Sequence, residues 1–149
     1  MVDFDILWQY LPRILNGALL TIQIAVASLL LAVLVGLVGA LMRLSKSPLL
    51  AGLATTYSTV VRGVPDLIWM LMVYYSAQLG INAITDSLGW SSFEISPFFA
   101  GVFTLSFIFG AYFTETFRGA ILAVPYGQIE AAHAYGLSPF QVLSRVTFP

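Results

Sequence analysis

The sequence predicts an all-α membrane protein, a polytopic bundle with three transmembrane helices followed by a polar helix–turn–helix. Three observations carry that expectation. Hydrophobic residues make up 59% of the 149 and charged residues only 9%, where a soluble domain has about a quarter charged. Charge-free runs long enough to cross a bilayer recur along the chain. Basic residues gather at one side of those runs. Mean hydropathy is +0.92, and no internal repeat or low-complexity tract divides the chain, so it reads as one membrane domain.

The opening MVDFDILWQYLPRIL is acidic where a signal peptide is basic, and lacks a small-residue cleavage site, so it is expected to be retained. Residues 4–15 leave two readings open. They form a short amphipathic helix on the outer surface, or an extension of the first span, with Pro12 interrupting either. From Ile14 to Met42 there is no charge. A helix needs about 20 apolar residues to cross the hydrocarbon core, which places the first span near 17–41. The second is expected near 56–79, built from TTYSTVV and LIWMLMVYYSAQL and interrupted by Arg62, Pro65 and Asp66. Gly80, Asn82 and Asp86 then open a loop, with Gly89 and Trp90 at an interface. The third span is expected over 97–122.

Arg43, Lys46, Arg62, Arg118 and Arg145 fall to one side of these spans, and Arg13 alone to the other. The positive-inside rule makes the first side cytoplasmic and the N-terminus external. Trp8, Tyr10, Trp90 and Phe93 then sit where an outer aromatic belt belongs. A net charge of −1 offers nothing to recruit nucleic acid.

Residues 126–149 are too polar to span. Pro125, Tyr126 and Gly127 break the third helix. QIEAAHAY then forms a short helix that Gly136 ends in the left-handed conformation. Ser138 caps a second helix, Pro139 occupies its first turn, and PFQVLSRVTF runs to Pro149, with Phe140, Leu143 and Phe148 near one face. On these mechanics alone, an ordinary loop with a re-entrant helix remains as good a reading.

The spacing favours something more specific. Glu130-Ala131-Ala132, three residues, Gly136, nine residues, Val146, then Phe148-Pro149 resembles the EAA loop of bacterial ABC importer permeases. Val146 and Phe148 stand where that pattern has Ile and Leu. The likeness extends upstream. NGALLTIQIAVASLLLAVLVGLVGALMRLS resembles the first span of the polar amino acid importer subfamily. Arg62-Gly63-Val64-Pro65 resembles its Arg-Gly-x-Pro. Gly110-Ala111-Tyr112, Glu115 and Arg118-Gly119 resemble its Gly-Ala-Tyr-x-x-Glu-x-x-Arg-Gly. Within the subfamily, RGVPDLI and GAYFTETFRGA are most similar to permeases of the histidine/lysine/arginine/ornithine and octopine/nopaline type.

The resemblance implies a permease subunit in a bacterial inner membrane. Its EAA loop, through Glu130, Ala131, Ala132 and Gly136, docks in a cleft on a cytoplasmic ABC ATPase, present as a dimer. The resemblance also implies a second permease chain, homologous or identical, and a periplasmic amino acid-binding protein. ATP and Mg belong to the partner ATPase, and this chain binds no cofactor. The family has about five spans, so the sequence is expected to be an N-terminal fragment.

Ionisable residues inside spans are costly and mark partners or pathways. Arg62 and Asp66 stand one helical turn apart and can pair, although Pro65 disturbs the backbone between them, and Glu115 and Arg118 can pair at i,i+3. Arg62 and Arg118 read as inner-interface anchors, with Gly63, Pro65, Tyr112 and Gly119 structural beside them. Asp66 and Glu115 are the two carboxylates placed to line a substrate path. Glu115 lies in a motif that the resemblance spreads over all substrates, which favours a structural role. Asp66 follows Pro65 where relatives carry an apolar residue, and it suits basic amino acids. His133 alone makes no metal or pH site, and Gln23 and Ser28 can bond a neighbouring helix. An enzyme would need a nucleophile, a base or a metal cluster. There is no cysteine, one histidine, and no carboxylate pair within a span. The alternative to an ATP-driven permease is an ATP-independent channel or a structural membrane subunit.

Overall fold

A computed structural model describes residues 4–91 and 94–147. Its elements are helices throughout: α1 (Phe4–Arg43), α2 (Pro48–Arg62), α3 (Asp66–Leu88), α4 (Pro97–Leu122), α5 (Tyr126–Ala134), α6 (Pro139–Val142) and a closing π turn (Leu143–Thr147). Phe93, Phe148 and Pro149 lie outside the described residues. Three helices are long and apolar enough to cross a membrane: Trp8–Arg43, Asp66–Leu88 and Pro97–Leu122.

α1 runs unbroken for 40 residues through Pro12. That is about 60 Å of helix against a hydrocarbon core of about 30 Å. The N-terminal residues are thus an extension of the first span rather than a separate helix. α1 and α4 form the backbone of the bundle. Ser28, Ala32, Gly36 and Ala40 recur every fourth residue on α1, and all are buried. This stripe of small side chains lets α4 come close, which is how helices associate where lipid offers no hydrophobic drive. Phe113 sits where a Cβ on Gly36 would be, and Thr114 does so at Gly39. The Ser106 hydroxyl donates to the Ser28 carbonyl of α1 at 3.2 Å.

The predicted span over 56–79 is not one helix. The chain leaves α-helical geometry at Gly63–Pro65, so α2 ends at Arg62 and α3 starts at Asp66. Pro65 has no N–H to give to Val61, and it disfavours helix at Val64. The carbonyl freed in this way is not left alone. The Trp69 indole N–H donates to Val61 O at 3.0 Å, which ties the first turn of α3 back to the last turn of α2. Val61 packs with Ile108 and Ala111 of α4, flanked by Tyr57, Trp69 and Met70. The break therefore lies opposite the middle of α4.

α3 also continues past the loop expected at Gly80. Gln78 bonds Asn82 one turn on at 2.9 Å, and the Thr85 hydroxyl caps the Ile81 and Asn82 carbonyls. The helix stops at Gly89, φ 66°. There Trp90 N–H reaches Thr85 O at 2.9 Å, the six-to-one bond of a glycine-terminated helix.

Candidate functional site

The terminal loop is an elbow with both arms defined. Gly136 has φ 78°, a backbone state that costs a side chain about 1–2 kcal/mol. Its N–H bonds His133 O at 2.9 Å, and Leu137 N–H bonds Ala132 O at 3.1 Å, so the last carbonyls of α5 are satisfied. Two residues on, Ser138 and Gln141 form a reciprocal capping box. Gln141 N–H donates to Ser138 Oγ at 3.4 Å, and Ser138 N–H donates to Gln141 Oε1 at 2.9 Å. Ser138 was readable as a cap, and the Gln three residues later completes that signal. Beyond Val142 the expected α-helix over 139–148 becomes a π turn. Nothing in the residue types there announces that change.

Ala132 and Val142 are the buried residues of the elbow, at 7% and 4% exposure. α5, α6 and the π turn pack chiefly on one another. Glu130, Ala131 and His133 face out, beside aromatic side chains at Tyr126, Tyr135 and Phe140 that are 72%, 87% and 75% exposed. The outer face of the elbow thus carries one carboxylate, small side chains and open aromatic surface.

Above it, one carboxylate ties three helices. Glu115 of α4 pairs with Arg118 through Oε2 at 3.1 Å, as its i,i+3 spacing predicts. Its Oε1 accepts from Ser58 of α2 at 2.9 Å and from Arg43 at the end of α1. Arg43 also reaches Ser58 at 3.1 Å. Sequence reasoning missed Arg43 and Ser58. They lie 72 and 57 positions from Glu115, and no local spacing links them. With its oxygens occupied by these partners, Glu115 serves to join helices.

At the break, the Arg62–Asp66 pair that the spacing allows does not form. The three residues between them leave the helix, so the two side chains belong to different elements. The Arg62 guanidinium, at the end of α2, instead lies over the Tyr112 ring of α4, 5.5 Å from its centroid. Asp66 is half-buried at the start of α3. Pro65 O takes the Ile68 N–H at 3.0 Å. Gly63 N–H closes α2 onto Thr59 O at 3.1 Å, and Gly119 is exposed on the last turns of α4. The structure therefore separates the two candidate carboxylates. Glu115 lies at the level of Ser58, and Asp66 lies across the break from Arg62. Among the described residues no group of three His, Cys, Asp or Glu is placed to hold a metal.

A polytopic helical bundle with a discontinuous second crossing and a rigid polar elbow defines a class, the membrane-embedded subunit of a transport system. Comparison with known proteins makes this specific. The chain belongs to the binding-protein-dependent transport system inner membrane component family, whose profile matches residues 32–149. It is 49% identical over 143 residues to the histidine/lysine/arginine/ornithine transport system permease protein HisQ of Salmonella typhimurium, covering 96% of this chain and 63% of that protein. The nopaline transport system permease protein NocM of Agrobacterium fabrum is 35% identical over 148 residues, with 99% of this chain and 61% of the relative covered. A crystal structure of an amino acid ABC transporter with histidines superposes with a TM-score of 0.77 at 31% identity, over 100% of this chain and 64% of that one. The chain thus spans less than two thirds of the length of these relatives.

Proposed function

We propose that this chain is part of the permease of an ATP-driven importer of polar, chiefly basic, amino acids, and that the elbow at 126–147 is where it takes up the work of ATP hydrolysis. The observation that carries this is the elbow itself. Glu130, Ala131 and Ala132 lie on a helix followed by a left-handed Gly136, and the next helix starts at a capping box two residues on, in the spacing of an ATPase-docking loop. A stiff lever transmits displacement that a floppy loop would absorb. The elbow is cytoplasmic and the start of α1 periplasmic, a reading supported by the gathering of Arg43, Lys46, Arg118 and Arg145 on one side of the spans. A dimeric ABC ATPase carries ATP and Mg. A second permease chain completes the pore, and a periplasmic binding protein delivers the substrate.

The choice of basic amino acids rests on the permeases this chain resembles and on the broken helix. Discontinuous helices at mid-depth commonly frame transporter substrate sites, with half-helix ends meeting the substrate's charges. Here Asp66 stands at such an end with no ion pair among the described residues, while Arg62 is held on Tyr112. A carboxylate in that position suits a cationic cargo.

The test is copurification of the ATPase with the assembled permease, paired with uptake into vesicles. Gly136→Asp and Glu130→Lys are expected to abolish copurification and ATP-dependent uptake together. Uptake undiminished in ATP-depleted vesicles would make the protein a channel instead.

A further inference from the structure

The middle of α3 carries a second polar site that the broken helix does not explain. Between the middle turns of α3 and the start of α4 lies a cavity of about 310 Å³ lined by Tyr74, Gln78, Asn82, Glu94, Ile95 and Pro97. Tyr74, Gln78 and Asn82 recur every fourth residue and so form one face of α3. Gln78 holds the cavity in shape. Its Oε1 accepts from Ile95 N–H at 2.9 Å, and its Nε2 donates to Asn82 Oδ1 at 2.9 Å. Ile95 is thereby pinned against the helix, and the exposed Glu94 is set beside it. No Lys, Arg or His occurs anywhere between Arg62 and Arg118, and Glu94 makes no ion pair among the described residues. Its charge is left for a cation from outside.

We infer that this cavity, on the reading proposed above, is an outer-mouth site that receives the cationic side chain of a basic amino acid before it reaches the broken helix. Three features fit that ligand. An accessible carboxylate, an aromatic ring and fixed amides together suit an ammonium or guanidinium group. The volume falls in the range of small-ligand sites, about 300–1,000 Å³. Tyr74 also lines an adjoining apolar cavity of about 350 Å³ with Ile24, Met70 and Leu105. A lysine or arginine has the matching form, a charged head on an apolar stem. Gln78 is twelve residues from Asp66, about 18 Å along the helix, so the two carboxylates mark successive stations.

The experiment uses the assembled importer in vesicles, with lysine and arginine as substrates and citrulline, the uncharged isostere of arginine, as competitor. Glu94→Gln is expected to raise KM for lysine and arginine about tenfold, the loss of one charge-assisted contact. Basal ATPase activity and citrulline competition should stay unchanged, and Glu94→Asp should recover most of the loss. Tyr74→Leu should raise KM similarly. Wild-type KM in both Glu94→Gln and Tyr74→Leu overturns the site. If the wild-type importer takes up no basic amino acid, the proposed function fails, and lysine binding to the purified permease decides the site alone. Binding weakened by Glu94→Gln sustains it, and absent or unchanged binding overturns it. Loss of ATPase stimulation by the binding protein with unaltered lysine binding also overturns it, by assigning Glu94 to docking.

Discussion

Two carboxylates within the helices, Glu115 and Asp66, have different surroundings. Glu115 is consumed by Arg43, Ser58 and Arg118. Removing its charge leaves two guanidinium groups facing each other in a half-buried site. Glu115→Gln is expected to cost about 1–3 kcal/mol of stability, read as a lower midpoint of thermal unfolding in detergent. Arg43→Gln should then add little on top of it, because the two share one interaction. Asp66 makes no ion pair among the described residues. Asp66→Asn is expected to leave the melting midpoint unchanged while weakening lysine and arginine uptake. Substrate competition in the reconstituted importer checks this, and unaltered uptake would take Asp66 off the substrate path. The Glu115–Arg118 pair was legible because helical spacing brings i and i+3 together. Arg43 was not, because only the docking of α1 against α4 brings it near. The Arg62–Asp66 pair fails for a related reason. Counting one helical turn holds only where the helix persists, and Pro65 stands between the two residues and denies it.

Among the elements, the long apolar runs announced α1 and α4 well, since a span is a statement about composition and length. The small-residue stripe on α1 was visible as letters but not as an interface. Its meaning depends on Phe113 and Thr114 filling the space above Gly36 and Gly39. Gly36→Val is accordingly expected to force α1 from α4 and to lower the yield of folded protein, measured by size-exclusion profile in mild detergent. Gly17→Val, with nothing near its Cβ position, should be tolerated. At the break between α2 and α3, the Trp69 indole ties the first turn of α3 to the Val61 carbonyl. Trp69→Phe leaves the Val61 carbonyl without a donor and is expected to cost about 1–3 kcal/mol. Faster hydrogen exchange localised to the last turn of α2 and the first of α3 would report it. The end of α3 was placed too early because Gly80 looked like a terminator. Gln78, Asn82 and Thr85 carry the helix across it to Gly89.

For the whole molecule, the division of labour follows from where polarity is concentrated. α1, α2 and α4 are joined through small-residue contacts and the Glu115 cluster. α3 packs against α4 and is tied in by Trp69, which packs on Phe107 and bonds Val61 O, and by the Gln78–Ile95 bond. The elbow at 126–147 folds largely on itself beyond α4, exposing Glu130, Tyr135 and Phe140. Its turn was legible from Gly136, Ser138 and Pro139, whose local chemistry dictates backbone geometry. What the elbow meets is not written in that chemistry, because a docking ridge and an idle loop use the same caps.

The central claim is that the elbow couples this chain to an ATPase, and one substitution isolates it. Gly136→Asp, made in the assembled importer, should leave the helical spans folded, since the residue is exposed and φ 78° constrains only the bend. The account predicts that the permease remains in the membrane at normal abundance, that the ATPase no longer copurifies with it, and that ATP-driven lysine uptake is lost. Full ATPase copurification with undiminished uptake in that variant would contradict it.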